Sequence, residues 1–540
     1  MEKSKIRTDP KRIWDEYQKG LDYNESVNLQ TNVHRNRDFY NGNQWKGVNA
    51  PNLDKPVFNI MKRVVSYFIA MLVSDNTIVS IRPVNALYQG DAEQGLKLAE
   101  QEVQNVIEAN NMRTKHRDAI RNMGIDGDVC LHAYFDPSAP TGQAATGLIR
   151  VELIDNLNVL FGNPFVADVQ EQPYIIIVQP MMLQAARDMA IDNGLSEDEV
   201  MQITPDRDGY DEEDPISGQD CVVVLTKYYR HNGTIWYTKS TEKVTIKQPT
   251  DTGYRLYPIS YQSWSPIAHS YHGQAAITEL IPNQIIINKM FAMASKATID
   301  MAFPKIVYDG TKLDSWSNQI GAIRVNGDPT TAIAAPIEGQ QVGGGTMNLL
   351  QSLITQTTEL MGASDAALGN IRPENATAII SVQKATAIPL ELQRTAFYQF
   401  VEDYVRVFLD IMATDYGVRT IVTTDDAGNE VMAEFDFGTL RDHVLNVQVD
   451  VGAGTYFSEV AQVQTLDNMF ERGLVTDPVL YLENIPDSYV RNKNQLLAAI
   501  KRQQAEAAAQ QQAMMAAQMA GVPGGEAAPE AMPSPEMGGM

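Results

Sequence analysis

The side chains best suited to chemistry in this sequence are its histidines, at positions 34, 116, 132, 231, 269, 272 and 443. None of them belongs to an HExxH metalloprotease motif, a zinc deaminase motif or a recognisable catalytic triad. His269 and His272 stand close together before a helical pattern and form the best-placed ligand pair. Their position favours a structural role at the entry to the helix. We therefore predict no catalytic residues and no enzymatic activity.

A run of carboxylates is the strongest candidate for a metal site. Six acidic side chains fall between Asp206 and Asp214, and calcium prefers such oxygen ligands. A calcium loop of the EF-hand type spaces its first three ligands two apart before a glycine, whereas Gly209 follows Asp208 directly. An exposed, solvated loop is favoured, and no metal or cofactor is predicted.

A glycine run, 343–345, precedes a helical pattern and resembles a phosphate cradle only in its glycines. A Walker A loop continues into Lys-Ser/Thr, but here Thr346 follows at once and can cap the helix. The sequence contains no Walker A motif. If the protein takes part in moving nucleic acid, the ATP that drives the movement must be hydrolysed by another chain.

The composition limits the ways in which the protein could handle nucleic acid. The chain has 540 residues, enough for several hydrophobic cores, with 43 Lys plus Arg against 67 Asp plus Glu and a net charge of −24. Gripping DNA over a wide surface requires clustered cations, so that class is disfavoured. A duplex that merely passes through is compatible with this charge, because a negative wall repels phosphates and prevents sticking.

Cysteine usage and hydropathy point to an ordinary reducing, aqueous environment. Cys130 and Cys221 lie in separate apolar segments without a CxxC or Cys/His cluster, so buried thiols are predicted. The N-terminal residues contain no hydrophobic signal core. The most apolar helical stretch, Ile285–Phe303, is interrupted by charged residues including Lys289 and Asp300, which argues against a membrane span.

The stretch around which the other elements are arranged runs from Ala363 to Tyr416. It begins with a polar turn over residues 368–375 and continues as a long helical pattern. From Phe397 onward apolar residues recur every three or four positions, which predicts one buried face. Pro389 lies inside this pattern and removes one helical hydrogen bond, so a kink is predicted there.

The rest of the chain predicts an α+β fold. Residues 8–40, Val57–Ser74 and Asp91–Asn111 have helical patterns, and from Val129 the period changes towards two. His231-Asn-Gly233 predicts a hairpin turn. The strand candidates are 78–84, 130–135, 147–159, 173–179, 220–230, 234–240 and 242–247.

The order of the elements resembles that of the portal proteins of tailed bacteriophages. In that family two stem helices flank a small clip domain, a tunnel loop follows, and a kinked helix leads back to an outer wing. The run that begins His272-Gly-Gln and contains Glu279-Leu-Ile-Pro282 is similar to one segment of the family. The run Pro373-Glu-Asn-Ala-Thr-Ala-Ile379 is similar to another. The resemblance covers roughly residues 30–500 and rests on element order more than on any single residue.

The resemblance implies a division of the chain into the parts of a portal subunit. These parts are an N-terminal arm (1–40), an α+β wing (41–270), stem helix 1 (271–302), a β-rich clip (303–345), stem helix 2 (346–366), a tunnel loop (367–376), a kinked long helix (377–416), wing strands (417–455), crown helices (456–518) and a disordered tail (519–540). The tail has no aromatic residue and cannot bury enough surface to offset ordering.

The resemblance also assigns residues to roles. The tunnel loop would present Gly369, Asn370, Arg372 and Asn375 to DNA in a channel, and Pro389 would mark the helix kink. The first stem helix is apolar on most sides, and a helix of this kind must be buried all round. Neighbouring copies in a ring would supply the missing cover. The residues predicted for stem and oligomer packing are Leu280, Ile286, Ile287, Met290 and Phe291.

The function implied is a homo-oligomeric ring, by resemblance of twelve subunits, at one vertex of the virion capsid. Double-stranded DNA would enter through the ring during packaging and leave through it at ejection. The partners implied are the large terminase, a head–tail adaptor, and the major capsid and scaffold proteins, with no membrane; assembly would take place in the bacterial host cytoplasm. The alternative is another structural ring of a phage particle, an adaptor or scaffold that does not translocate DNA.

Overall fold

The structure is a computed structural model, and it has the α+β composition predicted from the sequence. It describes residues 8–51, 53–73, 77–83, 91–143, 145–206, 220–302, 306–312, 326, 334–336, 344–362, 388–424, 430–442, 445–451, 456–474, 477–485, 490, 493, 496–497 and 499–502. The chain divides into two compact units. The first comprises Met1–Ile421 and Ala433–Gly454, and the second comprises Val422–Met432 and Thr455–Met540.

The first unit begins with helices and one strand. They are α1 (Pro10–Ser26), α2 (Leu29–Asn41), α3 (Ile60–Leu72), β1 (Thr77–Pro83), α4 (Asp91–Ala109) and α5 (Met112–Asp126). Pro10 stands at the start of α1, where its missing N–H costs nothing, and the Asn59 side chain caps α3 by accepting from the Lys62 N–H. The predicted N-terminal arm is thus helical, in two segments.

Two antiparallel sheets follow. The smaller has the order β3-β2-β9, formed by β2 (Asp128–Asp136), β3 (Leu148–Ile154) and β9 (Ile259–Ser263). The larger has the order β4-β5-β6-β7-β8, formed by β4 (Val159–Phe161), β5 (Tyr174–Met182), β6 (Cys221–His231), β7 (Thr234–Ser240) and β8 (Thr245–Asp251). The predicted hairpin turn is confirmed, since His231 pairs with Thr234 and Asn232 and Gly233 have positive φ. The strand β9 was not predicted.

The central strand β6 is buried on both faces, which is why its sequence reads as a continuous apolar run. On one face Val223 and Leu225 pack with Ile13 and Tyr17 of α1. On the other face Val222 and Val224 pack beneath α6 (Leu183–Asp192) and α7 (Glu197–Met201). Both cysteines, Cys130 and Cys221, are buried free thiols, as predicted.

The next elements of the first unit are β10 (Ser265–Pro266), β11 (Gly273–Gln274), α8 (Ile281–Ala302), β12 (Ile306–Tyr308), β13 (Ala334–Pro336) and α9 (Gly344–Leu360). The helices α8 and α9 flank the short ladder formed by β12 and β13. The helix α8 begins ten residues later than the pattern from Tyr271 predicted. Gly273 and Gln274 pair with β10, and a 3₁₀ turn covers Ala276–Leu280. A helix from Gln274 would place Pro282 in its interior, whereas a start at Ile281 places this proline in the first turn.

The predicted apolar face of the long helix is confirmed within α10 (Glu391–Ile411), which continues as a π-helical turn over Met412–Tyr416. Phe397, Val401, Tyr404, Phe408 and Met412 are all buried in the main core. The chain then forms β14 (Val418–Thr424), β15 (Glu430–Asp436) and β16 (Leu445–Val451). The last of these strands pairs antiparallel with β1, and β14 pairs with β15.

The second unit contains α11 (Tyr456–Glu471) and α12 (Pro478–Glu483). The side chain of Asp477 caps α12 by accepting from the Val479 N–H at 2.9 Å. The Phe470 and Tyr481 rings contact each other with their centroids 4.8 Å apart, and the Tyr481 hydroxyl donates to Asp467. Among the helices that the structure describes, none is long and apolar enough to cross a membrane.

Candidate functional site: an apolar helix pair

The surface with the clearest functional character lies on α8 and α9, the two helices that flank the β12–β13 ladder. The two helices pack together, and the Asn283 Nδ2 donates to the Thr357 Oγ1 at 3.3 Å between them. With 22 residues, α8 extends about 33 Å at 1.5 Å per residue. The pair therefore forms an elongated element with a substantial surface.

One face of α8 is buried within the chain itself. Its buried residues are Ile281, Gln284, Ile287, Asn288 and Ala292, and Leu280 of the preceding turn is buried as well. Two of the predicted packing residues, Leu280 and Ile287, thus contribute to the core of the subunit. Met290 and Phe291 are half-buried against the same core.

A buried amide network fixes α8 to the segment before α3. The Gln284 Nε2 donates to the Phe58 carbonyl at 2.6 Å, and the Gln284 Oε1 accepts from the Ile60 N–H at 3.2 Å. The Asn288 Nδ2 donates to the Gln44 Oε1 at 2.5 Å, and the Asn288 Oδ1 accepts from the Phe58 N–H at 3.2 Å. Because buried amides are costly when unpaired, this network holds the helix in one register and rotation.

An aromatic contact reinforces this attachment. The Phe58 and Phe291 rings stack with their centroids 4.9 Å apart and their planes 14° apart. Phe58 remains half exposed, so the stack lies at the edge of the core. Phe291 therefore contributes to the fold of the subunit as well as to its surface.

The opposite face of α8 exposes apolar side chains, with the charged Lys289 and Lys296 beside them on the same face. Ile286 is 46% exposed, and Met293, seven positions later and thus close to two turns along the helix, is 58% exposed. On α9, Leu349 and Leu360 are also exposed, three turns apart on one face. Single exposed apolar residues are ordinary, but repeated ones along helix faces make this a candidate interaction surface.

Charges on α8 are few and are partly used within the helix. Lys296 pairs with Asp300 four residues later at 2.8 Å, while Lys289 is exposed. A surface pair of this kind contributes less than about 1 kcal/mol. This pair therefore adds little to the stability of the helix.

Pro389 lies in a 3₁₀ turn, Ile388–Leu390, immediately before α10. A Cβ placed on Gly362 would lie 3.4 Å from the Pro389 ring, and Gly362 has φ +72°. The end of α9 and the start of α10 thus approach each other at this proline. The residues that precede Ile388 in the predicted kinked helix lie outside the described part of the chain.

The predicted tunnel-loop residues Gly369, Asn370, Arg372 and Asn375 also lie outside the described residues, as do residues 207–214 of the acidic loop. Among the described residues, no group of three or more His, Cys, Asp or Glu side chains could hold a metal ion. His272 is buried and contacts Asp128 at 2.9 Å and Asn24 at 3.0 Å, whereas His269 is exposed. The two histidines therefore do not share a site.

Sequence reasoning missed the roles of Gln284 and Asn288. They stand four residues apart on the face of α8 that also carries Ile281 and Ile287. Two amides at that spacing within an apolar face are the signal that could have revealed a buried polar anchor.

Comparison of the sequence with models of known protein families finds no match, and comparison with curated proteins finds no significant match.

Proposed function

We propose that this protein is a portal subunit that assembles into a ring through the exposed apolar face of α8 and α9. The observation that carries the proposal is the contrast between the two faces of α8. One face is anchored by a buried amide network, and the other presents Ile286 and Met293 to solvent. The anchor fixes the direction in which the apolar face points.

A ring accounts for this exposed face physically. Removing apolar surface from water stabilises a complex by roughly 25 cal/mol for each Å², so exposed apolar side chains on a helix favour association. When one face of a subunit contacts a different face of its neighbour, the contact repeats until a ring closes. The twelve-fold ring implied by the resemblance would cover the same apolar face in every subunit.

The arrangement of the elements supports a channel. The helices α8 and α9 flank the β12–β13 ladder, in the order that the resemblance assigns to stem, clip and stem. In a ring, this pair would form a wall about 33 Å long, estimated from the rise per residue of α8. The tunnel loop would follow α9 and reach the lumen.

The charge of the chain fits passage of DNA better than its retention. With a net charge of −24, the subunit would make few of the cation–phosphate contacts that give DNA tight, salt-dependent binding.

Packaging would be driven by a separate ATPase, the large terminase, docked on the clip. Head–tail adaptor, major capsid and scaffold proteins would be the further partners in a virion assembled in the host cytoplasm.

The first experiment is electron microscopy of the purified full-length chain, combined with light scattering. We expect discs with a central channel and a mass of about twelve subunits. A protein that stays monomeric at micromolar to millimolar concentrations would contradict the ring.

A packaging assay then separates a portal from a structural ring without a translocation role. Heads assembled with this protein, terminase and ATP should protect DNA from nuclease. Heads that contain normal rings but protect no DNA would favour the adaptor or scaffold alternative.

A further inference from the structure

A second candidate site lies in a cleft between the two sheets and shares no lining residue with the helix pair. The cleft has a volume of about 680 Å³ and is lined by residues from β2, β3, β5, β6 and β7. The inner faces of packed sheets are normally apolar. Here they carry His132, Glu152, Tyr228, Tyr237 and Lys239, so polar groups occupy positions where packing alone would select aliphatic side chains.

Strand register explains how these groups meet. His132 is paired with Glu152 across β2 and β3, and Tyr228 is paired with Tyr237 across β6 and β7. Since side chains two residues apart on a strand share a face, Lys239 lies on the same face of β7 as Tyr237. The two sheets thus bring one polar layer to each side of the cleft.

His132 links the two layers. Its Nδ1 lies 2.8 Å from the Glu152 Oε1, and its Nε2 lies 2.9 Å from the Tyr228 hydroxyl. A carboxylate only accepts hydrogen bonds, so the Nδ1–H donates to Glu152. When the ring is neutral, Nε2 then accepts a hydrogen bond from the Tyr228 hydroxyl. The hydrogen bond from His132 lowers the pKa of Glu152, and burial raises the pKa of Tyr228. These three groups satisfy one another.

Lys239 and Tyr237 are not satisfied in this way. Within the described part of the chain, neither the Lys239 ammonium nor the Tyr237 hydroxyl has a hydrogen-bond or ion-pair partner, although the charge of Glu152 attracts Lys239. Burial lowers the pKa of Lys239. A half-buried ammonium has lost part of its hydration, and a ligand that supplies an acceptor would offset that loss.

We propose that this cleft binds a small molecule that joins a flat ring to a carboxylate or phosphate group. The Lys239 ammonium and the Tyr237 hydroxyl donate to the oxyanion. The ring lies against the tyrosine wall, where Tyr228 and Tyr237 already stack with their centroids 5.8 Å apart, and against Met181. This site is independent of ring assembly and of DNA passage.

The test uses ligand-observed NMR titrations of the full-length chain with three probes: benzoate, phenyl phosphate and benzamide. Benzamide matches benzoate in shape but carries no charge. We expect benzoate or phenyl phosphate to bind at least about tenfold more tightly than benzamide, because a charge-assisted hydrogen bond to the half-buried ammonium is lost with the neutral probe. The anion that binds more tightly shows whether the site prefers a carboxylate or a phosphate.

Variants locate the binding in the cleft. Lys239→Met should weaken binding of the preferred anion at least about tenfold, and Tyr237→Phe should weaken it by a smaller factor. The matched control is Lys243→Met, which removes a lysine whose Nζ bonds the Thr204 Oγ1 outside the cleft. The control should bind like the parent chain.

Circular dichroism checks that each variant is folded. If Lys239→Met does not fold, the proposal is still tested by Tyr237→Phe and by the comparison of benzoate with benzamide on the parent chain. The proposal is overturned if neither anion binds up to tens of millimolar, if benzamide binds as tightly as both anions, or if a folded Lys239→Met variant binds as the parent does.

Discussion

Two neighbouring isoleucines on α8 give the sharpest prediction for assembly. Ile286 is 46% exposed in the subunit, whereas Ile287 is fully buried. Their side chains point about 100° apart around the helix. Replacing each in turn with aspartate therefore introduces the same charge on the outward face or into the core.

The expected magnitudes differ by several kcal/mol. Aspartate and isoleucine differ little in helix propensity, by less than about 0.5 kcal/mol. Burying a whole isoleucine side chain contributes roughly 1.5–3 kcal/mol, and Ile286 is only about half buried, so Ile286→Asp costs the isolated subunit about 1 kcal/mol. Ile287→Asp places an unpaired carboxylate in the core at a cost of several kcal/mol, a large share of a typical stability of about 5–15 kcal/mol.

In the proposed ring, the effects of the two substitutions on assembly would differ from their effects on the isolated subunit. If a neighbouring subunit covers the outward face, Ile286→Asp buries an unpaired charge at every interface, again at several kcal/mol each. We expect this variant to be a folded monomer, and we expect Ile287→Asp to unfold or aggregate. Phe291→Asp should both weaken assembly and destabilise the subunit, because Phe291 also stacks on Phe58.

Size-exclusion chromatography with light scattering gives the oligomeric state, and circular dichroism with urea denaturation gives the fold and its stability. Stability is compared between monomeric samples, because assembly of the parent into the proposed ring would raise its apparent stability. Rings of normal size from a folded Ile286→Asp variant would refute the assignment of the outward face of α8 to the interface.

Three further predictions concern pH, the loop and the tail. Burial lowers the pKa of His116 from 6.5 to about 4. As the pH is lowered, the unfolded chain binds this proton first, so the free energy of unfolding decreases by about 3 kcal/mol between pH 6.5 and about pH 4. Urea denaturation should show a shallower fall for His116→Gln, and equal falls would contradict this account. Asn370→Lys combined with Asn375→Lys should leave rings intact but reduce nuclease-protected DNA, most strongly at low salt; parent-like protection at every salt concentration would place the loop away from DNA. Deleting residues 521–540 should leave the melting temperature unchanged, whereas a clear decrease would show that the tail docks.

Much of the secondary structure was predictable because its signals are local. The three- and four-residue spacing from Phe397 to Met412 predicted the buried face of α10, and the Asn-Gly pair after His231 predicted a hairpin turn. The start of α8 was predicted too early, because the apolar spacing continues through residues that pair as β11 and form a 3₁₀ turn. Pro282 was the local signal that should have moved this boundary.

The candidate sites were predictable only in part. The apolar character of α8 is visible in the sequence, but the exposure of Ile286 and the burial of Ile287 depend on which face contacts the segment before α3. The polar cleft gave no sequence signal, because His132 and Tyr228 are 96 residues apart and meet only when the two sheets pack.

By itself, the sequence determined the α+β class, the strongly negative charge, the periodic faces of the helices and the turn chemistry, since each depends on neighbouring residues. The tertiary structure alone decided that β1 pairs with β16, with Thr77 opposite Val451. It also decided that amides anchor one side of α8 and that Lys239 lines a cleft in which no described residue forms a hydrogen bond or ion pair with it. Contacts between distant segments are selected by the packing of the whole chain, and no local spacing carries that information.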